Sequence, residues 1–101
     1  MSARVEKESM EVFARVPNSW VLRAPGRAFP GVLIQGDSLS NLHSLAKSLC
    51  SRARACSCSD VELAGEAQEL YDLLSGHLDN YEATLQAHGM ELPYGRRAAG
   101  S

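Results

Sequence analysis

From Ala55 to Gly95, forty-one residues, the chain has neither a lysine nor an arginine. That segment holds eight acids and a formal charge of -8, while residues 1–54 carry +4 and the whole chain -2. Such a segment repels a phosphate backbone, which excludes it as a nucleic-acid surface and suits it to a basic protein partner. The competing use of the same charge is internal, with the acidic half packed against the basic half and neutralised by it. The basic residues of the first half are scattered over expected strands and loops rather than clustered with aromatics, so nucleic acid is not an expected ligand there either. Long apolar runs are missing too, and nothing approaches the roughly 20 residues of a membrane helix. Residues Met1 to Glu11 are charged and lack the apolar core of a signal peptide. Three cysteines, Cys50, Cys56 and Cys58, are too few for a disulfide scaffold, so a reducing cytoplasm is the expected location.

What is present is ordinary for one globular domain: 101 residues, 45% apolar and 22% charged. A flexible lead-in is expected at 1–8, a single α+β domain at 9–94 and a disordered tail at 95–101. From Ser9 to Val16, apolar Met10, Val12, Ala14 and Val16 alternate with Glu11, Phe13 and Arg15, the period of a half-buried strand. Pro17-Asn18 is a turn, and Ser19 to Ala24 a second strand ended by Pro25-Gly26. Gly31 to Gln35 is the third. Short connections favour an antiparallel meander. A helix is then expected over Ser38 to Arg54, its apolar stripe at 39, 42, 45, 46, 49, 50 and 53. Ser59 with Glu62 forms a capping box for a second helix, whose stripe is Leu63, Ala67, Leu70, Leu74, Leu78, Tyr81 and Leu85. Gly89 is the residue expected just past its end. The expected fold class is α+β: a three-stranded antiparallel sheet followed by two antiparallel helices packed on one face.

The chemistry-bearing patterns are few. Gly36-Asp37-Ser38-Leu39 lies between a strand and a helix, the setting in which one family of serine esterases places its nucleophile. Such catalysis needs a base and oxyanion donors. Here Asp72 and His77 are five apart on one helix and face different ways, and no Gly-x-Asn-Asp block exists. Capping explains the same residues: Asp37 or Ser38 accepts free N–H bonds where the helix begins. Asp37 also places a negative charge where a bound phosphate would sit. One Cys-x-Cys with a helical Cys50, and histidines at 43, 77 and 88, fall short of four metal ligands at zinc spacing. No catalytic set, metal or cofactor is therefore expected.

The segment from Phe29 to Leu39, with Ala46-Lys47 in the following helix, resembles the core of HicB-type antitoxins: a Pro-Gly, a short strand, a Gln-Gly-Asp-Ser-Leu break and a helix. His88-Gly89-Met90-Glu91-Leu92-Pro93 is similar to the motif that closes that module. With Tyr81-Glu82 and Leu92-Pro93-Tyr94 included, the whole chain resembles a family of small uncharacterised bacterial proteins. The resemblance implies a chain that binds and neutralises a toxin. A long second helix stands before the closing glycine, and operator binding is not carried over.

The expected function is thus a non-enzymatic cytoplasmic interaction protein of antitoxin or immunity type. It would bind a basic partner through Glu62, Glu66, Glu69, Asp72, Asp79 and Glu82. The alternative is a homo-oligomeric structural or regulatory module, a homodimer in its simplest form, joined through the long Leu63–Leu85 stripe.

Overall fold

The structure is a computed structural model that describes residues 4–55 and 61–95. Three strands, β1 (Glu11–Val16), β2 (Ser19–Arg23) and β3 (Gly31–Leu33), precede two helices, α1 (Gly36–Ala55) and α2 (Val61–Ala87). The sheet is antiparallel in the order β1-β2-β3. Proline and asparagine make the first hairpin: Asn18 sits at φ 62, a left-handed conformation that asparagine tolerates and that a turn with proline before it can use. Between Val12 and Ala14 the register shifts, so Phe13 is a bulge and the alternation read from the sequence breaks there. The Arg23 guanidinium lies 5.7 Å from the Phe13 ring centroid and donates to Glu11 Oε1 from Nε at 2.7 Å.

Two boundaries differ from expectation for one reason. The Leu39 N–H bonds to the Gln35 carbonyl at 2.9 Å, so Gln35 already caps the helix, β3 ends at Leu33 and α1 starts at Gly36 rather than Ser38. The far end of α2 is a Schellman motif. Gly89 has φ 68, Met90 N–H reaches the Leu85 carbonyl at 2.9 Å, and Gly89 N–H reaches that of Gln86 at 3.1 Å. Ser59 of the expected capping box, Cys56, Cys58 and the tail from Arg96 onward lie outside the described residues.

The helices form an antiparallel pair, with Gly36 against Tyr81 at one end and Cys50 against Gln68 near the other. They pack on each other and not on a face of the sheet: no strand residue has its Cα within 8 Å of a helix Cα. The expected α+β order, a three-stranded antiparallel sheet followed by two antiparallel helices, is what the structure shows, and the difference in packing is that the helices lie beside the sheet rather than against its face. Only Ile34 and Gln35 separate β3 from α1. The molecule is accordingly long, 51 × 31 × 26 Å, with a radius of gyration of 16.7 Å against about 13 Å for a compact chain of this length. Both sheet faces keep apolar groups in solvent, including Trp20 and Leu33 on one and Val16 and Val32 on the other.

Candidate functional site

The seam between α1 and α2 is lined mostly by small and polar residues, with Leu78 fully buried among them. His43, Ala46 and Cys50 of α1, with Gly36 at its start, are buried against Ala67 and Leu78 of α2. The expected leucine stripe of α1 is therefore split. Ala46 and Cys50 face α2, whereas Leu42, Leu45 and Leu49 stand about 100° around the helix and are exposed. On α2 the same happens to Leu63 and Leu70, which are exposed beside buried Ala67 and Leu78. Small residues fill much of the α1 side of the seam, and the leucines beside them lie outside it.

Side-chain hydrogen bonds mark one side of the seam. His43 Nε2 and Ser75 Oγ are 2.9 Å apart, with the His43 ring 5.0 Å from that of Tyr71. Gln68 Oε1 accepts from Arg54 and, at 3.3 Å, from Cys50 Sγ; its Nε2 donates to Asp72 Oδ1 at 2.8 Å. At 3.6 residues per turn Leu42, Leu45, Leu49, Leu63 and Leu70 all fall on the opposite side. The hairpin thus has a polar side and a leucine side.

The six acids expected to form one partner surface divide into three groups. Glu62, Glu66 and Glu69, spaced by four and three, share the face of α2 that points away from α1, with Leu73, 60% exposed, in the next turn. Among the described residues none bonds to or pairs with these three. Asp72 and Asp79 lie together on the polar side, and Asp72 is joined through Gln68 to Arg54. Glu82 turns toward the segment after α2 and accepts from Tyr94 Oη at 2.7 Å. Only the first group is a compact, outward acidic patch. Glu62 gains from the positive end of the helix dipole, but Glu66 and Glu69 lie beyond the first turn and repel their neighbours.

Of the remaining candidates, Asp37 Oδ1 accepts the Ser38 N–H at 2.9 Å within the first turn of α1. The one histidine of α1, His43, is bonded to Ser75 on the neighbouring helix. Among the described residues no three histidine, cysteine or acidic side chains converge as a metal site would require. No helix in those residues is long and apolar enough to cross a membrane. A cleft of about 540 Å³ that the sequence did not suggest lies beneath the β2–β3 loop, between Leu22, Arg27, Phe29 and Leu33. Its signal was the Pro25-to-Pro30 loop with Phe29, too long for a tight hairpin turn.

No curated protein and no solved structure matches this chain. The model of a family of unknown function, DUF6959, matches residues 5–94, and the chain belongs to that family.

Proposed function

We propose that the chain is a non-enzymatic cytoplasmic interaction protein that binds a basic protein partner through the outward acidic face of α2, as antitoxins and immunity proteins do. The observation that carries this reading is the patch of Glu62, Glu66 and Glu69, exposed, mutually repelling and without a counter-charge among the described residues. A patch of that kind costs a little helix stability and gains it back when a cationic surface docks. Leu73 supplies the apolar contact beside it. The division of the acids narrows the expected surface: Asp72 and Asp79 lie on the polar side of the hairpin, where Gln68 bonds Asp72, and Glu82 bonds Tyr94, which leaves three carboxylates to do the binding. The likeness of residues 29–39 to HicB-type antitoxins points to the same class.

The tagged full chain, purified from its native host at low ionic strength, is expected to bring down a basic protein that is released at high salt, because such contacts are screened. Recovery of no protein at low salt, or of one whose retention ignores salt, overturns the proposal.

A further inference from the structure

We infer that the leucine side of the α1–α2 hairpin is the contact surface for a second copy of this chain, giving a twofold-symmetric dimer built as a four-helix bundle. The surface is separate from the acidic face described above. Leu42, Leu45 and Leu49 of α1 are spaced by three and four, and Leu45 is 68% exposed. Leu70 of α2 stands beside them, with Leu63 a further two turns along. Spacing of three and four is that of helices interlocking knobs into holes. Here it sits on the side of each helix that its partner within the chain does not cover.

The area fits a dimer. A compact monomer of 10.9 kDa exposes about 5,600 Å², whereas this chain exposes 7990 Å², an excess of roughly 2,400 Å². The fourteen residues outside the description could hold at most about 1,400 Å² of that excess, even at unfolded-chain exposure. Roughly 1,000 Å² then remains on the described fold, and a specific dimer needs about 800 Å² from each partner. The leucine side has a footprint of similar order. α1, with 20 residues, is about 30 Å long, and two helices lying about 10 Å apart present on the order of 600 Å².

Charge selects a second copy over another occupant. The chain is acidic overall, and its α2 is the most acidic part of it. Yet by helical geometry no Lys, Arg, Asp or Glu lies between the two leucine rows; Arg52 and Glu66 stand at the outer rims. A partner chosen by charge has nothing to hold there. A second copy has matching leucine rows, meets no like charge, and leaves both acidic faces outward. An isologous contact also uses the same patch twice, so a surface without directional polar groups suffices.

The test is the mass of the full chain by light scattering and sedimentation across a concentration series. The expected result is twice 10.9 kDa for the unaltered chain. Leu45→Glu should weaken association by at least about 100-fold, because each copy would bury a carboxylate in an apolar contact. Its far-UV circular dichroism should be unchanged, since Leu45 is already exposed. Leu73→Glu, on the acidic face, should leave the dimer intact. Independently of any variant, the melting temperature of the unaltered chain should rise with concentration. A monomer at all concentrations overturns the inference, as does a dimer that survives Leu45→Glu or is lost with Leu73→Glu.

Discussion

Gly36→Ala sets two effects of known size against each other. Alanine is favoured over glycine in a helix by up to about 1 kcal/mol, and Gly36 is the first residue of α1, so propensity alone predicts a gain. Packing predicts the reverse. Gly36 is buried, and a Cβ there would overlap the Tyr81 ring at its Cζ, Cε2 and Oη atoms. Tyr81 is half-buried at the end of the helix seam, so it must swing outward or push α1 away. Overpacking of that kind costs about 1–3 kcal/mol. The net expectation is a loss of about 1–2 kcal/mol, or roughly 4–16 °C in melting temperature for a chain of this size. The assay is thermal and urea unfolding followed by circular dichroism, repeated in a Tyr81→Ala background. Without the ring the clash is gone, and Gly36→Ala should become neutral or stabilising by up to about 1 kcal/mol. A stabilising Gly36→Ala in the unaltered chain, or the same loss in both backgrounds, refutes the reasoning. The prediction also gives the glycine of Gly36-Asp37-Ser38-Leu39 a packing role.

Leu78, 0% exposed, should lose about 2–5 kcal/mol on truncation to alanine, whereas exposed Leu45→Ala should stay within about 0.5 kcal/mol at concentrations where the chain is monomeric; urea unfolding separates the two. Asp37→Ala removes the acceptor of the Ser38 N–H and should cost about 0.5–1.5 kcal/mol. The unaltered chain and Ser38→Ala should both fail to hydrolyse short acyl esters, and turnover that disappears with Ser38→Ala would make Ser38 a nucleophile.

Much of the fold is legible in residue order. The strand-forming run that ends at Val16, the Pro17-Asn18 turn and the glycine past α2 each have a local cause, and the structure places strand, turn and cap accordingly, with the bulge at Phe13 as the break in the alternation. The seam is not legible in the same way. A stripe from Leu39 to Ala53 is wide enough that either edge could meet a neighbour, and hydrophobicity points to the leucines. The buried positions are instead Gly36, His43, Ala46 and Cys50 on α1 and Ala67 and Leu78 on α2, most of them small. The His43–Ser75 and Tyr94–Glu82 bonds join side chains 32 and 12 residues apart, a pairing no local pattern encodes. The division of the acids follows from helix geometry for Asp72 and Asp79 and from the Tyr94 contact for Glu82. The sequence supplies the charges, and the faces of α2 on which they fall, with the contacts of Asp72 and Glu82, decide which remain outward.

The measurement closest to the central claim is the affinity of the captured basic partner for the chain carrying Glu62→Gln, Glu66→Gln and Glu69→Gln together. Neutralisation leaves the helix-forming side chains in place, so the hairpin should fold as before. Three lost charge contacts of about 0.5–1 kcal/mol each predict binding roughly 10- to 150-fold weaker, with a shallower dependence on salt. Unchanged affinity and an unchanged salt dependence would contradict the account and move the binding surface elsewhere on the molecule.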